Sequence, residues 1–110
     1  DLASFDSIKK CAKSYRTQFG QLDILINNAG LITDKLQFTQ DGFELQMAAN
    51  YLGHFLLTGL LLGRLNATPE SRVVSLSSLA HLNGRIHFSD ILKWDSFHMK
   101  IQEFGILQMP

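Results

Sequence analysis

The sequence predicts an α/β fold, a helix–strand–helix–strand segment built around a parallel sheet. Three observations carry that prediction. Apolar residues recur at steps of three and four between Phe5 and Phe19, the period of a helix with one buried stripe. Two short apolar runs, Leu22–Ile26 and Val73–Leu76, each lead into polar residues, as strands of a covered parallel sheet do at their ends. The long apolar segment between them suits the helical crossover that parallel strands require.

Each element has its own local reason. Phe5, Ile8, Ala12, Tyr15 and Phe19 make the stripe of the first helix, with Lys9, Lys10, Lys13 and Arg16 between them. Ser4 is placed to cap its start and Gly20 to end it. Leu22–Ile26 is the first strand, with Asp23 its one charged residue, and Asn27-Asn28-Ala29-Gly30 is the turn after it. Asp41-Gly42-Phe43-Glu44 has capping-box spacing and opens a long helix to about Leu65. Apolar residues occupy most faces of that helix's second half, which predicts a helix sandwiched between the sheet and another surface. Pro69 breaks it. Val73, Val74 and Leu76 make the second strand, ending in Ser77-Ser78. Asn83-Gly84 is a turn signal, and residues 86–91 read as a short extended piece plus a helical turn. Strands covered on both faces need neighbours that these residues do not supply. The expectation is a segment of a larger domain, marginally stable alone because its strand edges are open.

Composition narrows the function classes. A hydrophobic fraction of 45% and a charged fraction of 18% belong to a globular chain and exclude disorder. Ten basic residues balance ten acidic ones, with no basic run, so nucleic acid is not an expected partner. Cys11 is the single cysteine; it allows no internal disulfide, fits a reducing compartment, and reads as a small core residue of the first helix. The chain opens without a basic-then-apolar leader. Its most apolar stretch, Phe55–Gly63, is about half a membrane span, so the chain is expected to be soluble. Gly59 and Gly63, four apart, match a membrane-helix pairing pattern; on so short a run they predict close packing of a soluble helix.

Three polar features fall at one end of the inferred sheet: Asn27–Gly30 after the first strand, Asn50 on the long helix, and Ser77-Ser78 after the second strand. In open α/β sheets, ligands lie outside the carboxyl ends of the strands. Ala29 and Gly30 have almost no side chain, so a flat ligand can approach their backbone. The tetrapeptide taken singly also reads as an ordinary polar turn. Asn50 sits mid-helix among apolar neighbours, with Gly53 close behind. Asparagine and glycine both weaken a helix, glycine by up to about 1 kcal/mol against alanine, which predicts a bend or an inserted water. The plainer reading is an asparagine bonded to a neighbouring loop. Ser78 and His81 hint at a hydrolase, but no Gly-x-Ser-x-Gly elbow is present. His54, His81, His87 and His98 show neither i,i+4 pairing nor cysteine partners, so they read as packing or surface residues rather than zinc ligands.

Read together, five stretches resemble one family in order and spacing. They are Leu25-Ile-Asn-Asn-Ala-Gly30, Asp41-Gly-Phe-Glu44, Asn50-Tyr-Leu-Gly-His-Phe-Leu-Leu-Thr58, Arg72-Val-Val-Ser-Leu-Ser-Ser-Leu-Ala-His81 and Gly84-Arg-Ile-His-Phe88. From Asp1 to about Asp95 the sequence resembles the middle of a short-chain dehydrogenase/reductase, most closely the retinol-dehydrogenase-like branch. The resemblance implies a partial Rossmann-type doubly wound parallel sheet. Residues 1–95 would be its central part, without the N-terminal strands and the C-terminal part, and residues 96–110 a divergent tail. It implies NAD(P)-dependent interconversion of a small lipophilic alcohol with its aldehyde or ketone, NADP being favoured over NAD. It also implies a homo-oligomer contact through the long helix and an intracellular location. The parent would be cytoplasmic or associated with the endoplasmic reticulum, its membrane association not encoded here.

The resemblance assigns roles residue by residue. Asp1, with Leu2, would bond the adenine ring. Asn27, Asn28, Ala29 and Gly30 would line the adenosine side of the cofactor and pin the central strand. Asn50 would hold a helix bend and the water of a proton relay. Ser78 would stabilise the substrate oxygen as charge develops on it, and Ser77 would be structural. No metal is implied. The family's catalytic Tyr, followed four residues later by Lys, would fall near Glu103. The chain has only Tyr15 and Tyr51, with Phe19 and Phe55 four further on, so neither forms that pair. The family's glycine-rich phosphate turn is not among the 110 residues either. The chain by itself is therefore expected to be inactive. The alternative reading is a non-catalytic truncated or spliced fragment that acts as an interaction partner of full-length subunits.

Overall fold

The computed structural model describes residues 1–82; the Asn83-Gly84 turn, the 86–91 segment and the 96–110 tail lie outside the described residues. Residues 1–33 and 37–76 form one compact unit, and of the other described residues 34–36 and 77–82 belong to a second.

The first helix, α1 (Phe5–Gln18), forms where the apolar period places it. Ser4 is its N-cap, the side chain accepting the Ser7 N–H at 3.3 Å. A second cap comes from far along the chain: Asp41 Oδ2 accepts the Phe5 N–H at 3.0 Å, and the Phe5 and Phe43 rings lie 5.3 Å apart. The helix ends at Phe19, whose N–H returns to the Tyr15 carbonyl, one residue before Gly20. Its buried residues are Ile8 and Ala12. Cys11 is exposed, which corrects the expectation of a core cysteine: it stands one residue, about 100°, off the Ala12 stripe.

Strand β1 (Ile24–Asn27) pairs in parallel with β2 (Arg72–Ser75), from Ile24 opposite Arg72 to Asn27 opposite Ser75. Both strands differ by one or two residues from the sequence expectation. Leu22 is buried in the core and gives its N–H to Thr68 Oγ1 at 3.0 Å rather than to a strand. Asn27 joins the ladder, its carbonyl accepting the Leu76 N–H at 3.0 Å. No residue of β2 is buried, and in β1 only Asn27 is. Ile24 is 57% and Ile26 59% exposed. The strand chemistry is that of a sheet covered on both faces, and the described residues do not cover it.

The crossover is a helix in three parts: α2 (Leu45–Met47), a π-helical turn (Ala48–Leu52) and α3 (Gly53–Ala67). Its N-cap is Glu44, whose carboxylate accepts the Gln46 and Met47 N–H groups at 2.9 and 2.7 Å. The capping-box expectation is thereby corrected: Glu44 starts the helix itself, while Asp41 serves α1. Glu44 is fully buried, and that burial is tolerable because its oxygens face orphan helix donors. The helix ends at Thr68, and Pro69 and Glu70 follow in a turn closed by Ser71 N–H to the Thr68 carbonyl at 3.3 Å.

The core of this unit lies between α1, α3 and the start of β1. Ala12, Leu22, Leu61 and Leu65 are its buried members, with Tyr15, Leu25, Leu57 and Leu60 packed around them. Arginines fasten the helix seam: Arg16 Nη1 donates to the Leu60 carbonyl and Arg64 Nη2 to the Arg16 carbonyl. Leu45–Ala67 spans 23 residues with a window of mean hydropathy 1.2, long and apolar enough to cross a bilayer by length and composition. The nine-residue run read from the sequence understates that length. A core helix meets the same test, and Leu61 and Leu65 here are core.

Gly59 and Gly63 pack against nothing: a Cβ on either would meet no atom within 4 Å. The close packing expected of them is absent within the described residues. Gly59→Ala and Gly63→Ala are each expected to stabilise the chain by about 0.5–1 kcal/mol, because alanine is the better helix former and finds open space. A rise in the urea midpoint at unchanged m-value checks this.

Candidate functional site

The carboxyl ends of β1 and β2 and one side of the π-turn enclose a groove of about 280 Å³. Asn27, Asn50, His54, Thr58 and Ser75 give it polar groups, and Tyr51, Phe55, Val73 and Leu76 give it apolar walls. Asn50, His54 and Thr58 stand four residues apart on an otherwise apolar helix. That spacing is the signal that would have found His54 and Thr58, both missed from the sequence: His54 reads there as a packing or surface residue, and Thr58 is given no role. Ser75 left no such signal, since a serine ending a strand is ordinary.

Asn27 is buried, 6% exposed. Its Nδ2 donates to Thr58 Oγ1 at 3.0 Å and to Ser75 Oγ at 3.2 Å, which ties β1 to α3 and to β2 at one point. Its Oδ1 has no partner among the described residues. Asn28, Ala29 and Gly30 are exposed.

Asn50 and Leu31 join in a two-point bond. Asn50 Oδ1 accepts the Leu31 N–H and Asn50 Nδ2 donates to the Leu31 carbonyl, both at 2.8 Å. A side-chain amide thus mimics one rung of a strand and fixes the turn that leaves β1. A Cβ on Gly30 would lie 3.4 Å from Asn50 Oδ1, an ordinary contact distance, so the turn passes close beside the asparagine. Asn50 reaches Leu31 from the π-turn, in which Gly53 N–H bonds to the Ala48 carbonyl, five residues back. The weakening of the helix read from Asn50 and Gly53 takes this form. His54 Nδ1 lies 3.0 Å from the Asn50 carbonyl; a carbonyl only accepts, so the ring donates.

Asp1 and Leu2 lie on the other side of the same turn. Asp1 Oδ1 accepts the Ala3 N–H at 2.8 Å. A Cβ on Gly53 would fall 2.5 Å from the Leu2 carbonyl oxygen, so the Leu2 backbone rests directly on the helix.

Ser77 and Ser78 belong to the second unit. There Ser78 Oγ accepts the Ala80 N–H at 3.2 Å and opens a 3₁₀ turn, Leu79–Leu82. His81 Nδ1 bonds the Ser78 carbonyl, a contact within the turn rather than one to the hydroxyl. Accepting one bond leaves the Ser78 hydroxyl its own proton to donate. Among the described residues no group of three His, Cys, Asp or Glu could hold a metal.

The residues of the first unit suit the adenosine side of a nucleotide. Small residues leave the backbone open at the carboxyl end of a parallel strand, and the Asn50–Leu31 bond holds that backbone still. Comparison with known proteins agrees with the geometry. The family model of the short chain dehydrogenases matches residues 1–90. Retinol dehydrogenase 13 of Homo sapiens is 50% identical over 96 residues, 87% of this chain and 29% of that protein. Retinol dehydrogenase 12 of Bos taurus is 50% identical over 91 residues, again 29% of its length. A solved structure of an uncharacterized protein from Mycobacterium paratuberculosis superposes with a TM-score of 0.68 at 42% identity, covering 83% of this chain and 31% of that one. The chain thus spans less than a third of the relatives it matches. With the partial Rossmann-type α/β fold, the ordered motifs and these matches in agreement, the chain belongs to the short-chain dehydrogenase family, in its retinol-dehydrogenase-like branch.

Proposed function

We propose that these residues are the adenosine-facing middle of an NAD(P)-dependent oxidoreductase that interconverts a lipophilic alcohol and its carbonyl, a retinoid among the candidates. The observation that carries the reading is the pair of hydrogen bonds between Asn50 and Leu31, which holds Asn28–Gly30 as an open, fixed edge at the end of β1. When bound, the nicotinamide cofactor gives or takes the hydride. Asp1 and Leu2 would hold its adenine, and Asn28, Ala29 and Gly30 would lie along its adenosine side. Asn27 would keep the strand in place beneath them. The Asn50 carbonyl, in the π-turn beside His54, would hold a relay water. Ser78 would donate to the substrate oxygen. NADP is favoured over NAD on family resemblance, and an intracellular location goes with the same reading.

The 110-residue chain would bind without turnover, since its two tyrosines lack a lysine four residues on. General acid–base help is typically worth about 10²–10⁴-fold. A fluorescence titration with NADPH tests the pair of statements. Saturable binding at millimolar or lower concentration, without oxidation of the dinucleotide by added aldehyde, is the expected result. Turnover at an ordinary rate would overturn the second statement, and no binding would overturn the first.

A second reading has its own support. Ile24, Ile26, Val73, Val74 and Phe55 are exposed, and apolar faces of this kind favour association with another subunit. On that reading the chain is a non-catalytic partner of full-length subunits, docking through α3 or the open sheet. Absence of dinucleotide binding in the titration would leave this reading in front.

A further inference from the structure

We infer that Gly53 is a positioning residue for the nucleotide, one that places from a single turn of helix the two segments, Asp1–Ala3 and Asn28–Gly30, that the nucleotide reading sets against the adenosine. The inference rests on the nucleotide reading above and adds to it a residue that the reading does not use. Of the glycines in α3, Gly59 and Gly63 face open space, whereas Gly53 alone is crowded. A Cβ there would lie 2.5 Å from the Leu2 carbonyl oxygen, 3.1 Å from Leu2 Cβ and 3.1 Å from the Ala48 carbonyl oxygen. Two of those atoms are backbone and cannot swing aside as a flexible side chain would. Glycine weakens a helix, and here it does so where another stretch of backbone lies against the helix surface.

Both segments depend on that contact. The first is the Asp1–Ala3 turn, closed by Asp1 Oδ1 on the Ala3 N–H and seated on Gly53 through the Leu2 carbonyl. The second is the Asn28–Gly30 edge, held by Asn50 through Leu31. Asn50 belongs to the π-turn that Gly53 closes with its N–H on the Ala48 carbonyl. The spacing between Leu2 and Leu31 is therefore set across residues 50–53, with no side chain in between at position 53. A methyl group at that position has to lift the Asp1–Ala3 turn or unwind the π-turn. Either movement displaces one of the two segments that the nucleotide reading sets against the adenosine. Gly53 touches no ligand in this scheme; it acts through Leu2 and Asn50.

The test is an amide-resolved NMR titration of the full chain with AMP, which carries the adenosine half alone. Wild type is expected to show AMP-dependent shifts at Leu2, Ala3 and Asn28–Gly30. Gly53→Ala is expected to bind AMP about tenfold more weakly and to move the Leu2 and Leu31 amides even without ligand. Ala12→Gly, in the core away from the turn, serves as the structural control: it should lower thermal stability yet keep wild-type AMP affinity. If Gly53→Ala does not fold, Ala48→Gly makes the same test from the other backbone partner of Gly53, since it loosens the π-turn that carries Asn50 and touches no ligand. Wild-type AMP affinity in whichever of these two variants folds would overturn the positioning role while leaving the nucleotide reading intact. Equal loss of affinity in Ala12→Gly would overturn it too, by making stability the cause. A wild-type chain that shows no AMP-dependent shift at millimolar AMP would overturn the nucleotide reading, and this inference with it.

Discussion

Asn27→Ala is expected to cost about 2 kcal/mol of unfolding free energy, and Asn28→Ala under about 0.5 kcal/mol, although the two asparagines are neighbours in one motif. Asn27 is buried, and its single amide holds the Thr58 hydroxyl on α3 and the Ser75 hydroxyl on β2. Truncation removes both bonds and leaves Thr58, itself half-buried, without its donor. Each hydrogen bond is worth about 1 kcal/mol net, and a stranded buried group adds its desolvation cost. Asn28 is exposed, so water replaces whatever the side chain gives up. Urea denaturation of the two variants measures the contrast. Equal, small losses would mean that Asn27 does not fasten the strand.

That pair also shows what a sequence can and cannot reveal. Asn-Asn after an apolar run marks the end of a strand, but nothing local says which asparagine points inward. Strand alternation decides it, and alternation depends on a register that β2, some 48 residues away, supplies. The carboxylates behave alike. Asp41 and Glu44 both read as caps of the following helix, and spacing alone favours the capping box. In the fold Asp41 reaches back to Phe5, a contact between residues 36 apart, and Glu44 takes the local donors by itself. Elements whose cause is local were legible: α1 from its stripe and Ser4, the helix end from Pro69, the strand pair from its two apolar runs. Features set by distant partners were not. Cys11 sits beside the stripe rather than in it, and only packing against α3 settles which side of the helix is inner. The sequence marked Gly59 and Gly63 as the closely packed glycines, but they have open space and it is Gly53 that has a backbone against it. The weakening of the helix around Asn50 was legible, but its form, a π-turn that aims the amide at Leu31, required the loop to be in place.

Ser78→Ala is expected to lower kcat by about 10²–10³-fold, with KM little changed, in a chimera that carries residues 1–90 in place of the matching stretch of a full-length retinol dehydrogenase. The prediction needs the chimera because the 110-residue chain has no tyrosine–lysine pair of its own. The physical argument is that a hydroxyl aimed at the substrate oxygen strengthens its bond as negative charge grows there, so its loss falls on the transition state more than on binding. A structural role competes with this one. Ser78 Oγ accepts the Ala80 N–H and opens the Leu79–Leu82 turn, so removing it also removes a cap. Ser78→Asp separates the two. Aspartate caps a turn as well as serine does, yet it has no proton to give and places negative charge beside a developing alkoxide. If Ser78 acts on the substrate, Ser78→Asp is as inactive as Ser78→Ala although its turn survives, and Ser77→Ala stays within a few-fold of the parent. Activity that returns with the aspartate would instead make the serine a cap, and the substrate oxygen would have to find its donor elsewhere.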